Sequence, residues 1–152
     1  MASHFYNTAV KEMCDGTVNI SSDSLKLMLV SNSYSENKDH NTISDVSSAE
    51  ISVTGYTGGF GGSGRKACSV SLQANTTDDR VDIELNGGAS MTWTSLGAGV
   101  AISGAVLVKE ITNDASSRII AWLDVADTST NGSDFTLTFN TLANGGNLRI
   151  AN

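Results

Sequence analysis

Proline is absent from the 152-residue sequence, so no proline-rich spacer divides it. Charge is scarce as well: Asp, Glu, Lys and Arg make up 16%, against roughly 25% in ordinary soluble domains. Basic residues are the scarcer sign, nine Lys and Arg against sixteen Asp and Glu, for a net charge of −7. They do not cluster beyond the pair Arg65-Lys66. Phosphate backbones are bound by Lys/Arg surfaces, so a nucleic-acid partner is not expected. No apolar run approaches the ~20 residues of a membrane-spanning helix, so no membrane partner is expected either. The opening Met1-Ala2-Ser3-His4-Phe5-Tyr6 has neither the basic nor the apolar segment of a secretory leader. The expectation is synthesis and folding in a cytoplasm.

Cysteine and histidine are also few. Cys14 and Cys68 are the only cysteines and read as small, buried, reduced thiols, with a disulfide as the alternative. Two cysteines without a nearby histidine pair do not give zinc spacing, so no structural metal is expected. The histidines are His4, near the start, and His40, in a polar stretch. A serine or cysteine nucleophile would need one of them beside an orienting carboxylate, and no spacing selects such a set. The sequence is therefore read as non-enzymatic, with no catalytic residue and no cofactor.

What the sequence has in abundance is glycine, serine, threonine and asparagine, the residues of turns. Phe5, Tyr6, Ala9, Val10, Met13 and Cys14 fall on one helical stripe, predicting a helix over 3–15 with Ser3 as its N-cap and Gly16 as its stop. After Gly16 the period changes to two. Leu25, Leu27 and Leu29 alternate with apolar Met28 and Val30, as in a strand covered on both faces. Ser31–Asn41 reads as an exposed loop and Thr42–Val46 as one helical turn. Alternation then recurs around Cys68–Leu72, Val81–Leu85, Met91–Thr94, Val100–Ile111, Ile119–Val125, Phe135–Phe139 and Leu148–Ile150. Gly104 inside the long Val100–Ile111 run suggests a bulge. Asp82 and Glu84 read as the solvated face of their strand. About eight short strands with regular turns predict an all-β, antiparallel β-sandwich or barrel-like fold over 1–152, one domain with one N-terminal helix.

Two motifs mimic ligand sites. Gly55-Tyr56-Thr57-Gly58-Gly59-Phe60-Gly61-Gly62-Ser63-Gly64-Arg65 contains the G-x-G-x-x-G spacing of a dinucleotide turn and comes close to a P-loop. Both need a following helix, whereas Cys68, Val70 and Leu72 alternate as a strand. Residues 55–65 are read instead as a flexible loop that orders on a partner, with Tyr56, Phe60 and Arg65 as contacts. Phe5 and Tyr6, on the helix, are candidate contacts to a subunit. Asp127–Gly132 resembles the start of a calcium loop, but its twelfth position is Thr138 rather than a glutamate. A hairpin turn at Asn131-Gly132 is the simpler reading. Trp122 is placed in the core, and Trp93 is left open.

Four stretches together resemble a family of small tailed-bacteriophage virion proteins. They are His4-Phe5-Tyr6-Asn7 with its helix; Gly16–Val30, similar to a G-x-I-D-L-D-x-D-x-I-K-V-M-L-V pattern; Ile43-Ser44-Asp45-Val46 leading to Gly55-Tyr56-Thr57; and Arg118–Asp124 followed by Asn131–Leu137. The insert Gly58–Gly64 departs from that family's short turn. The resemblance implies a β-sandwich-like fold and a virion role, foremost as a capsid decoration (cement) protein. Such a protein would bind the outer surface of the major capsid protein shell as a homo-oligomer, a trimer. A tail, neck or fibre-base component is the alternative, and a carbohydrate-binding module the reading from a different class.

Overall fold

The computed structural model describes residues 3–151, so Met1, Ala2 and Asn152 of the expected 1–152 domain lie outside the described residues. The period-two segments become strands and every strand pairing is antiparallel. Among the described residues, ten strands and one α-helix form the order β1 (His4–Phe5), α1 (Asn7–Cys14), β2 (Leu25–Ser31), β3 (Lys66–Ala67), β4 (Val70–Asn75), β5 (Arg80–Leu85), β6 (Met91–Trp93), β7 (Ala101–Lys109), β8 (Arg118–Ser129), β9 (Phe135–Leu137) and β10 (Leu148–Ala151). Three sheets result, ordered β1-β8-β7-β2-β3, β10-β5-β4 and β6-β9. Apolar residues from all three share one hydrophobic cluster. The mainly β fold expected from alternation is the fold observed.

The largest sheet is built on β2, β7 and β8. Leu27, Met28, Leu29 and Val30 are all fully buried, because both faces of β2 are covered. Each such side chain contributes about 1.5–3 kcal/mol relative to exposure. The register between β7 and β8 shifts between Ile102 and Gly104, which is the bulge that Gly104 suggested. Its deeper cause is packing: a Cβ on Gly104 would collide with the Trp122 ring. Trp122 is thereby fixed in the core, as is Trp93, 1% exposed.

The N-terminus departs from expectation. Phe5 and Tyr6 are not in a helix. His4 and Phe5 pair with Trp122 and Ala121 of β8, and the Tyr6 N–H donates to the Ile120 carbonyl. An open sheet edge offered these residues backbone partners, which decided against the helical stripe. The helix is consequently only eight residues, with Tyr6 at the cap position but making no side-chain capping bond. The expected N-cap, Ser3, accepts a hydrogen bond from the Asp124 N–H instead. Ala9 and Glu12 point inward, while Val10 is exposed. Glu12 is tolerated there because Arg118 pairs with it at 2.9 Å. Phe5 and Tyr6, expected as subunit contacts, are 9% and 0% exposed; they belong to this chain's own core.

Three further expectations are corrected. Asp82 is 3% exposed rather than solvated, because Arg80 binds it at 2.7 Å and Asn75 at 3.0 Å. The turn at Asn131-Gly132 joins no hairpin, since β8 pairs with β7 and β9 with β6. Cys14 is exposed and only Cys68 is buried, both as free thiols. The helical turn expected near residue 43 is present as a 3-10 turn, Ile43–Asp45. The Asp45 carboxylate accepts the Asn41 and Thr42 amides, each at 2.9 Å.

Candidate functional site

The glycine-rich stretch from residue 55 to 65 lies between a 3-10 turn, Ser47–Ala49, and β3. It is tied to the body at both ends. Gly55 sits at φ +84°, where a Cβ would come 2.7 Å from the Thr94 carbonyl; both the dihedral and the close approach require glycine. Tyr56, 2% exposed, runs inward, accepts the Leu29 N–H at 3.1 Å and donates to Glu50 at 3.0 Å. The Gly64 carbonyl accepts the Trp93 indole N–H at 2.6 Å. Gly64 itself lies against the Tyr56 ring, which leaves no room for a side chain. Within the loop, the Gly62 and Gly64 amides bond to the Gly59 and Thr57 carbonyls, both at 2.9 Å.

Arg65 holds the C-terminal end. Its side chain is 0% exposed and pairs with Glu50, Glu110 and Asp114. Two guanidinium nitrogens donate to the Glu50 carboxylate at 2.9 and 2.7 Å, and two to Asp114 at 2.7 and 3.1 Å. The Nη1 group also donates to Glu110 at 2.9 Å, and Lys26 bonds the other oxygen of Glu110. Forked, two-nitrogen contacts of this kind suit a guanidinium and not an ammonium. Burial acts to lower the pKa of Arg65, but Glu50, Asp114 and Glu110 outweigh it and hold the guanidinium charged. Burial likewise acts to raise Glu110, and Lys26 and Arg65 together bring it below the usual glutamate range. Burial, then Glu50, pushes the Tyr56 phenol far up, so it stays neutral. Glu50 completes the clamp by accepting the Gly59 N–H at 2.9 Å.

Tyr56 and Arg65 are therefore not loose contact groups. They are buried supports that fix the loop's shape. Phe60 alone among the five proposed contacts is open, 47% exposed at the loop's tip. Replacing Gly58–Gly64 by a short turn would remove the Gly64 acceptor of Trp93 and the Gly59 contact of Glu50, so this segment is part of the fold and not a dispensable spacer. A cleft of about 230 Å³ lies beside it, lined by Ser47, Glu50, Thr57, Gly58 and Asp114 among others. The carboxylates there are already engaged by Arg65.

Each histidine is held by a partner that spacing did not show. The Tyr34 hydroxyl bonds His40 Nδ1 at 2.9 Å and the Tyr6 hydroxyl at 3.0 Å, and His4 pairs with Glu36 at 2.7 Å. Tyr34 packs against the Trp122 ring, centroid to centroid 5.3 Å. These contacts tie down the loop after β2, an exposed stretch in which Tyr34, Glu36 and His40 are half-buried. Burial raises both the Tyr6 and Tyr34 phenols, so neither is primed as a base or nucleophile.

No protein-family model, no curated protein and no solved structure matches this chain.

Proposed function

We propose that this chain is a bacteriophage capsid decoration protein, which binds the outer surface of the major capsid protein shell and stabilises it. The role is structural rather than catalytic, exercised on the virion after synthesis in the host cytoplasm. The sequence resemblance supplies the class. The observation that carries the reading is the glycine loop: an exposed Phe60 stands on a tip whose base is held by a buried arginine, three carboxylates and two aromatic rings. A loop ordered before contact loses little further entropy on binding. Modest contacts of this kind, repeated by many copies over a shell, add up through multivalency. The net charge of −7 also opposes non-specific association before the shell is reached.

The test is co-sedimentation with capsids of the parent phage that lack the protein. The wild-type chain is expected to pellet with the shells. Phe60→Ser is expected to weaken that attachment about tenfold, near 1.4 kcal/mol, with an unchanged melting temperature. A wild-type chain that ignores shells and pellets with isolated tails would replace this reading with the tail or neck alternative.

A further inference from the structure

The three-stranded sheet ends at β4, whose outer side pairs with no strand among the described residues. Its register with β5 is unbroken from Val70↔Leu85 to Asn75↔Arg80, so no bulge turns the edge away. Natural edges are guarded by charge, proline, bulges or brevity. Here Val70-Ser71-Leu72-Gln73-Ala74-Asn75 has no charge and no proline. The other outer strands are guarded. β1 and β3 have two residues each and β6 and β9 three, while β10 carries Arg149.

Leu72, at the middle of β4, is 45% exposed. It borders an open groove of about 410 Å³, lined by Met13, Val18, Ile20, Val81 and Ile150. The edge and the groove thus share one residue and one side of the sheet.

We propose that β4 is the docking edge for a second copy of this chain, the two copies pairing β4 to β4 antiparallel about a two-fold axis with Leu72 opposite the partner's Leu72. Charge selects the occupant. Each copy carries −7, so two copies repel over most of their surface and can approach along a neutral strip. The acidic groups beside that strip are engaged: Asp82 by Arg80 and Arg149, Asp78 by Arg80, and Glu84 by the Leu142 N–H. An edge meant for a basic partner would carry acid, and this one carries none. Symmetry selects the register. Opposed residues of an antiparallel pair share a face, and a two-fold interface is self-complementary, so the axis passes through a residue paired with itself. Centring on Leu72 sets Val70 against the partner's Ala74 and merges the two grooves into one apolar surface. Centring on Gln73 would oppose two amides and leave Leu72 off the axis. The resulting six-stranded sheet is two-fold, in place of the trimer that the resemblance implies, and it does not depend on the capsid reading.

Sedimentation velocity of the purified chain tests this. The 15.8 kDa chain is expected to reach twice its mass as concentration rises. Leu72→Lys and Leu72→Glu, each alone, are expected to weaken the association about tenfold or more, with unchanged circular dichroism and melting. Mixing the two variants places Lys opposite Glu and is expected to restore association. A wild-type chain that stays monomeric at millimolar concentration overturns the proposal. So do single variants that associate like the wild type, or a mixture that recovers nothing.

Discussion

Replacing Arg65 with alanine removes the cation that Glu50 and Asp114 share. The three carboxylates lie close together, with side chains of Glu50, Glu110 and Asp114 exposed to 4, 10 and 22%. Among the described residues only Lys26 would remain to balance them, and it pairs with Glu110. Deleting one partner of a buried pair costs about 3–5 kcal/mol, chiefly because the other charge stays buried and unmatched. For a chain of this size each kcal/mol lowers the melting temperature by about 2–4 °C. The expected loss is therefore roughly 6–20 °C in a calorimetric or circular-dichroism melt. Arg65→Lys should lie between, since an ammonium cannot grip two carboxylates by paired bonds. Adding Glu50→Gln to Arg65→Ala should return part of the loss, by removing the most buried stranded charge. An Arg65→Ala melt within 1–2 °C of the wild type would refute the clamp, because it would mean the cluster is hydrated and its charges weakly coupled.

Gly104→Ala should destabilise by about 1–3 kcal/mol, since the new methyl meets the Trp122 ring; an unchanged melt would contradict that packing. Acid should unfold the protein through groups held below their usual range: Asp82 by Arg80 and Asn75, Asp45 by the Thr42 and Asn41 amides, and Glu110 by Lys26 and Arg65 against its burial. Groups with depressed folded-state values stabilise above their unfolded values near pH 4 and lose that contribution as pH falls further, so the melting temperature should be flat above about pH 5 and drop below it. A melting temperature constant from pH 5 to pH 3 would refute this. In native protein a thiol reagent should label Cys14 and spare Cys68, whose thiol is buried and pushed up to about 11; equal labelling rates would show that Cys68 is not enclosed.

The strands were legible because alternation is local: Leu25–Val30, Val81–Leu85 and Ile119–Val125 each state their period within a few residues. The class of fold followed from them. The start of the helix was not legible, because Phe5 and Tyr6 fit the helical stripe and yet their backbone was claimed by β8, a partner more than a hundred residues away. Gly104 inside an apolar run signals a bulge, but the Trp122 ring that requires it lies on the neighbouring strand. The loop supports were hidden for the same reason. Arg65 reads from the sequence as a possible contact, while its partners Glu50, Glu110 and Asp114 are 15, 45 and 49 residues away, and no spacing rule joins them. Composition also misled: six glycines in the loop suggested freedom, whereas Gly55 and Gly64 are glycine because neighbouring atoms leave no space for more.

The place proposed for this chain is the outside of a phage shell. Electron microscopy of virions carrying a copy labelled on an exposed surface decides it. Label density is expected at regular positions over the capsid faces. Density confined to the tail, neck or fibre base, or no label on the virion, would contradict it.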